Sequence, residues 1–564
     1  MIPNPPAISV AVSPQVTAIG IGQTAQFTAT VTGDTTGVTW TASAGTIDAL
    51  GNFTAPAGPQ SSTATVTATS KADTTKSAAA SVNVVAPGQF AATANVQVAQ
   101  YTVTPAAAAD VSLQFGIDTN YGLTTWIQSA PDGGGAVSLF VAGMRANTLY
   151  HMQGIVKFKD GSQFTESDHT FTTGKLAQAD LLHLTATTTP GATPQGGLEL
   201  FAATTPPGAY VTDLQGNLLW AYDPGLAGEL PNPIKMMPNG NFLVNYSRGV
   251  PDGADSVLQE VDLAGHVVWQ MTAAQLNQAL ATATCAGCNI TVLGTHHDFA
   301  MLSNGHLIVI ASQEKVETGL IGFPSPVTVL GDVVIDLDEN HKPVWLWSAF
   351  DHLDLNRHPM AFPDWNHSNS LEYSPDDKAL ILSMRHQDWI LKINYNDGQG
   401  DGSILWKLGY QGDFALQGGT DPIDWQYAQH DANVVSDTSS GNLQLLMFDN
   451  GNQRVLDPSG TICGTTPCYS RVPIMDLNET AKTATLSWVD NLSPVFSTFG
   501  GSARQLKNGN VEFDECSITL VGSNAAVYEV TKTMPAQVVW QMQIAGQTEY
   551  RVIRIPSLYP GVQW

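Results

Sequence analysis

Basic residues are scarce in this chain: 23 Lys and Arg stand against 49 Asp and Glu in 564 residues, a formal net charge of −26. A surface this acidic repels nucleic-acid backbones and anionic membranes, so neither is an expected partner. An anionic substrate must then be met by a local cluster of donors, and every arginine near a candidate site gains weight. Charge of either sign is thin, at 13% of residues, whereas 43% are hydrophobic, ample for packed domains. No apolar run reaches the ~18 residues of a membrane-spanning helix. The opening Met1-Ile2-Pro3-Asn4-Pro5-Pro6 has no signal-peptide pattern and reads as a mature N-terminus given a start codon, which leaves export open.

Cysteine is scarce too, with five residues. Cys285 and Cys288 form one close pair, Cys463 and Cys468 another, and Cys516 is left over. Both pairs sit in turn-rich stretches and neither has a second pair at zinc-ribbon spacing. The reading is two loop-closing disulfides formed in an oxidising compartment, periplasmic or extracellular; a zinc site built from both pairs is the lesser alternative.

At 564 residues the chain exceeds a single core. The expected class is all-β: two N-terminal β-sandwiches followed by a six-bladed β-propeller. Residues 1–86 are rich in Thr, Ala, Val and Ser, and segments such as Thr63-Ala64-Thr65-Val66-Thr67-Ala68 alternate with period two, the strand signal. With Trp40 on a middle strand, this stretch resembles bacterial Ig-like domains. After Ala86-Pro87-Gly88, residues 89–175 again read as short strands; Met144 to Tyr150 has the form of a tyrosine corner and resembles a fibronectin type III module. Both read as spacers or adhesion modules without chemistry.

Residues 180–564 have a different texture. Tryptophan ends six strand-like runs, at Trp220, Trp269, Trp345, Trp406, Trp488 and Trp540. Asp-led turns precede most of them, as in Asp213-Leu214-Gln215-Gly216. Hairpin cues follow most: Asn239-Gly240, Asn304-Gly305, Asp376-Asp377, Ser440-Gly441 and Asn508-Gly509. A repeated multi-strand unit marked this way predicts propeller blades, and six marks predict six.

Three successive units carry a histidine just before the hairpin cue, where an inner strand should begin: Thr295-His296-His297-Asp298-Phe299, Trp365-Asn366-His367-Ser368-Asn369, and Ala428-Gln429-His430-Asp431. Equivalent positions of successive blades ring the axis, so His297, His367 and His430 are expected to converge. Asn369, two residues after His367 on the same strand face, and Arg385 on the next strand look like anion binders. His296 and His386 are left out, because neighbours on a strand face opposite ways. Asp431 or a backbone carbonyl is expected to fix the His430 tautomer, and Asp298 to cap a strand turn. Asp449 to Arg454 read most simply as a tight turn, with Arg454 a candidate for the channel mouth. Trp365, Trp389, Trp425 and Tyr427 are expected as an aromatic collar for a flat substrate, with blade packing as the alternative.

These segments, with Met384-Arg385-His386-Gln387, Phe448-Asp449-Asn450-Gly451-Asn452-Gln453-Arg454 and Tyr550-Arg551-Val552-Ile553-Arg554-Ile555-Pro556-Ser557-Leu558-Tyr559-Pro560, resemble bacterial arylsulfate sulfotransferases, which do not use the nucleotide donor PAPS. The resemblance implies a ping-pong reaction through a sulfohistidine, without cofactor or metal, between an aryl sulfate donor and a phenol acceptor. It implies His430 as nucleophile, His367, Asn369 and Arg385 on the sulfuryl oxygens, His297 in an assisting role, and Cys463–Cys468 as the family's cysteine loop. Family members carry one N-terminal sandwich that mediates dimerisation; two here make a homodimer an open expectation. Two other readings stand beside this one. The first is a metal-dependent propeller hydrolase using the three histidines, which metal analysis would reveal. The second is a non-catalytic binding propeller, which would show no turnover.

Overall fold

The architecture is that of a computed structural model. It describes residues 7–564 apart from 178–181, 205–206, 224, 226–229, 248–255, 324, 439–440, 465–467, 491, 493–494 and 519–523. The expected start of the propeller near residue 180 and the Ser440 half of one hairpin cue lie outside the described residues. Two compact units result: Met1–Leu176 with Ser557–Trp564, and Ala177–Pro556. The last residues, Ser557–Trp564, thus group with the first unit. Among the described residues no helix is long and apolar enough to cross a membrane.

The first unit holds half-buried strands. Ser62–Ser70 and Ala109–Gly116 alternate between inside and outside, as the period-two sequence requires of a sheet with one wet face. Phe27, Phe53, Val66 and Val82 centre one core; Tyr101, Leu113, Phe115 and Met152 centre the other. The Tyr150 hydroxyl accepts the Arg145 N–H at 2.9 Å, the bond of a tyrosine corner.

Among the described residues the second unit is built from six sheets with a four-stranded antiparallel core; His183–Thr188 adds a fifth strand beside Val538–Ala545, and Ala415–Gln417 a fifth, parallel strand beside Thr483–Val489. Five read in chain order. Blade 2 runs from Leu230–Met236 to Val267–Thr272, blade 3 from Gly294–Met301 to Pro343–Ser348, and blade 4 from Ser368–Ser374 to Ile404–Leu408. Blade 5 runs from His430–Thr438 to Thr483–Val489, and blade 6 from Ala503–Gln505 to Val538–Ala545. Blade 1 combines Leu198–Thr204, Pro207–Thr212 and Leu218–Tyr222 with Glu549–Ile555, so its inner strand comes from the far end of the unit and closes the ring. Blade strands lie between neighbouring blades and are covered on both faces. Phe242–Ser247 and Ala379–Met384 are buried at every residue, which is why they read as apolar runs without alternation.

The recurring tryptophans have a common job. Each lies on the fourth strand of its blade, and five reach the hairpin between the third and fourth strands of the next blade. The indole N–H of Trp220 donates to Leu263, Trp345 to Gly400, Trp406 to Glu479, Trp488 to Thr533, and Trp540 to Leu214, at 2.6–3.0 Å. Trp269 instead stacks on His341 in the same place, with ring centroids 3.9 Å apart. The Trp540 bond joins blade 6 to blade 1. A buried indole needs a partner for its N–H, and for these five the partner is the neighbouring blade.

Candidate active site

The inner strands of blades 3, 4 and 5 share one irregularity. Pairing slips between Thr295 and Phe299, between Ser368 and Ser370, and between His430 and Asn433. Such bulges re-aim side chains. Around them the backbone takes left-handed values: φ is 59° at His297, 47° at His367, 52° at Ala428 and 50° at Asp431. Each non-glycine residue in this region costs about 1–3 kcal/mol, and clustering of such residues marks a functional site.

The bulges bring the three expected histidines around one tyrosine. His297 meets His367 edge to face, with centroids 4.5 Å apart, and Tyr550 lies 5.5 Å from His297 and 5.9 Å from His430. Tyr550 stands on the closing inner strand of blade 1, and its hydroxyl is buried without a hydrogen-bond partner among the described residues.

His430 is held in one tautomer. The Asn450 amide nitrogen donates to the carbonyls of Ser497 and Gly500, both at 2.9 Å. Its oxygen, 2.6 Å from His430 Nδ1, is therefore an acceptor. Nδ1 carries the ring hydrogen and Nε2 keeps the lone pair. Among the described residues, Nε2 receives a single contact, from the backbone N–H of Gly500 at 3.3 Å. Gly500 has φ 63°, and a Cβ there would stand 2.5 Å from Cys516 Sγ, so glycine is required for this approach. Burial, then the Arg385 charge, holds the His430 pKa well below the usual histidine value. Asn450 thus fills the orienting role expected of Asp431, whose carboxylate is turned to Arg504 and Arg551 at 3.1 Å.

Arg385 begins a short 3-10 turn, Arg385–Gln387. Its NH1 lies 2.6 Å from His386 Nε2 and its NH2 donates to the Thr498 carbonyl at 3.1 Å. Among the described residues its Nε is buried without a hydrogen-bond partner and no carboxylate is within ion-pair reach. Asn369 is wholly buried. One of its amide hydrogens goes to the Gln429 carbonyl at 2.7 Å, which leaves the second for a ligand. His367 Nδ1 donates to Asp364 at 2.5 Å. Burial pushes the Asp364 carboxyl up, but the charge and hydrogen bond of His367 prevail and hold it at about 2.

The two histidines that strand alternation set aside are part of the site. The bulge at His297 turns His296 the same way, so that His296 Nδ1 lies 2.7 Å from His297 Nδ1. His386 sits on a turn instead of a strand; it stacks on His367 at 4.6 Å and bonds the Asp364 carbonyl through Nδ1 at 2.7 Å. Burial, and next the charge of His367, brings its pKa down to about 4.

Arg551 ties the three histidine strands together. Its NH1 pairs with Asp298 at 3.2 Å, its Nε with Asp431 at 3.1 Å, and its NH2 donates to the Asn369 carbonyl at 2.9 Å. Each partner adjoins a site histidine or is a site residue. Asp298 therefore does more than cap a turn. Burial raises its pKa, yet Lys235 at 2.6 Å and Arg551 hold it below the carboxylate norm. Replacing Arg551 by Met strands two buried carboxylates, each left with one other cation. We expect a loss of about 3 kcal/mol, read as a shifted denaturant midpoint of the whole chain. An unchanged midpoint would show that Lys235 and Arg504 suffice.

Arg454, offered for the mouth, lies elsewhere, and Trp365 follows the blade-packing alternative to the collar. Arg454 is wholly buried, paired with Asp449 at 2.7 Å and stacked near Tyr469. Trp365 is also wholly buried, in the blade 3–4 core, its N–H donated to the Arg357 carbonyl. Tyr427 and Trp389 do border open space, a cavity of about 720 Å³ also lined by Arg357, Asp388 and Tyr410. The disulfides Cys285–Cys288 and Cys463–Cys468 are formed, and Cys516 is free and buried.

No curated protein matches the chain in sequence. Among solved structures, dihydro-heme d1 dehydrogenase NirN in complex with DHE is 10% identical, with a TM-score of 0.29, over 66% of this chain and 80% of that one. A D1–D4 ectodomain fragment of ICAM-5 is 11% identical, with a TM-score of 0.16, over 59% and 100%. The Arylsulfotransferase (ASST) family pattern matches residues 162–551, which take in the inner strands of blades 2 to 6, the start of the closing strand Glu549–Ile555 and every histidine of the site. The chain belongs to the arylsulfotransferase family.

Proposed function

We propose that the protein moves a sulfuryl group from an aryl sulfate to a phenol, without PAPS, through a covalent sulfohistidine on His430. The observation that carries this reading is the His430–Asn450 bond at 2.6 Å, which leaves a neutral ring with its lone pair on Nε2. A neutral imidazole is a competent nucleophile, and a covalent intermediate splits one displacement into two. In the transition state charge spreads over three equatorial oxygens, as in phosphoryl transfer. Arg385, with no described carboxylate within ion-pair reach, and the spare Asn369 hydrogen are donors for those oxygens, joined by His367 Nε2 when that ring is doubly protonated against Asp364. Such preorganised donors supply most of the catalysis. The aryl group has a place in the cavity of Trp389, Tyr427 and Tyr410. Asp388 and Tyr427 on its wall are each three residues from Arg385 and His430, so within about 11 Å along the chain. The two disulfides favour an oxidising compartment, periplasmic or extracellular.

One observation favours a metal: ligand atoms of Asp364, His367 and His386 lie within 4.8 Å of one another. These atoms are committed to each other, however. His367 Nδ1 is bonded to Asp364 Oδ2, and His386 Nδ1 to the Asp364 carbonyl. The Arg385 guanidinium stands 2.6 Å from His386. The three channel histidines form no such group among the described residues. A chromogenic aryl sulfate with a phenol acceptor is expected to turn over in excess EDTA with no PAPS added. Activity lost to chelation and restored by zinc would establish the metal reading instead.

A further inference from the structure

We propose that Asp332, His296 and His297 form a proton relay, which hands a proton to the departing phenoxide and takes one back from the acceptor phenol. The inference rests on the sulfuryl-transfer reading and assigns roles to two residues outside the nucleophile and the oxygen donors.

The geometry is specific about where hydrogens sit. His296 Nε2 lies 3.1 Å from Asp332 Oδ1, and the other Asp332 oxygen accepts the backbone N–H of Ser368. Asp332 is thus an acceptor on both sides, and His296 Nε2 carries a hydrogen for it. The contact between His296 Nδ1 and His297 Nδ1, at 2.7 Å, holds one hydrogen: two would collide, and none would oppose two lone pairs. The trio therefore has two states that differ by one proton. With His296 neutral, the shared hydrogen belongs to His297 Nδ1, and His297 Nε2 is a base. With His296 doubly protonated against Asp332, the shared hydrogen belongs to His296, and His297 Nε2 is an N–H acid. His297 Nε2 makes no hydrogen bond among the described residues and stays free for a substrate oxygen.

Both half-reactions then balance. First, the His430 Nε2 lone pair forms the N–S bond as the S–O bond breaks, and the aryl oxygen leaves with the bonding pair. It takes the proton from His297 Nε2, while the shared hydrogen moves from His296 to His297 Nδ1 and His296 becomes neutral. Second, the acceptor phenol gives its proton to His297 Nε2, the shared hydrogen returns to His296, the phenol oxygen bonds to sulfur, and the N–S pair returns to His430.

The charged neighbourhood suits a relay whose proton lies away from the site centre. His297 faces His367 of blade 4, His430 of blade 5, and Tyr550 and Arg551 of blade 1, with Asp298 beside it already bound to Arg551 and Lys235. Burial, and then the charges of His367, His296, His430 and Arg551, disfavours a cation on His297 itself. His296 has Asp332 at its back and Asp364 within electrostatic reach, so the positive charge is better placed there.

His296 and Asp332 are positioning residues acting through His297, and their signature is sensitivity to the leaving group. The test measures kcat/KM of H296Q and D332N over aryl sulfates whose phenols have pKa from about 5 to about 10. The loss should be small for acidic phenols and grow to about 10²-fold for the most basic, because only these need the proton. The D332N change is isosteric and carries the test if H296Q fails to fold. A loss of equal size for all donors, or none for basic ones, overturns the relay. Intact mass after exposure to an acidic donor separates the two levels. Wild-type protein that gains no sulfuryl group sinks the reaction itself; variants that gain it without leaving-group sensitivity sink the relay alone.

Discussion

Replacing His430 by asparagine should abolish turnover and covalent labelling together. Three histidines ring the site, so the choice among them needs an argument. His367 is bound through Nδ1 to Asp364 and lies beside Arg385 and Asn369, which suits a group that holds oxygens. His297 is bound through Nδ1 to a second histidine, which suits proton traffic. His430 alone is bound through Nδ1 to a neutral amide that cannot take its proton, so its Nε2 offers a lone pair whenever it is not bonded to sulfur. Asparagine keeps an amide N–H near the position of Nδ1 and can still bond Asn450, so the pocket should survive. We expect kcat/KM to fall about 10⁴-fold or more, the scale seen when a covalent nucleophile is removed. Incubated with donor alone, wild-type protein should gain one sulfuryl group by intact mass and His430→Asn none. If the variant is still labelled, and a peptide map places the group on His297 or His367, the roles assigned here are wrong.

Much of this site was legible in the sequence because it repeats. Three histidines at equivalent positions of successive units could be placed on a ring without any coordinates, and the six tryptophans gave the number of blades. The parts that were not legible lie where the repeat is locally broken. Strand alternation assigns His296 and His297 to opposite faces, and a single bulge between Thr295 and Phe299 cancels that rule. His386 was misjudged for the same reason, since it occupies a 3-10 turn. A left-handed histidine has no sequence signature, because the surrounding fold enforces it. Asn450 was read as part of a tight turn; that its side chain reaches across to His430, 20 residues away, depends on the bonds to Ser497 and Gly500 in a third segment. Trp365 and Arg454 show the opposite error. Large residues beside site residues were expected to serve the substrate, whereas Arg454 is consumed by Asp449 and Trp365 by the core.

The role given to Asn450 leads to the second large effect. An Asn450→Leu variant removes the acceptor that keeps the hydrogen on His430 Nδ1, and the ring is then free to carry it on Nε2, where it blocks attack. A wrong tautomer in an otherwise intact site costs about 10³- to 10⁴-fold. Asn450→Asp should behave differently. A carboxylate still accepts from Nδ1, so the tautomer is kept, but its charge favours the imidazolium and raises the His430 pKa. In the wild type that pKa is depressed by burial and by Arg385, so kcat/KM should show no loss from His430 protonation between about pH 8 and about pH 6. In the aspartate variant the rate should fall as pH drops through this range, because the protonated ring has no lone pair. The stability sign runs in the same direction. Folded His430, His297 and His386 have pKa values below that of an unfolded histidine. Their contribution is full above about pH 6.5 and is lost as pH falls below it, since the unfolded chain takes up protons first. Raising the His430 pKa removes part of that loss, so the aspartate variant should lose less stability on acidification while losing more activity. That divergence distinguishes a tautomer clamp from a packing residue: if activity and stability fall in parallel with acid, or if the leucine variant keeps wild-type turnover, Asn450 does not set the state of the nucleophile.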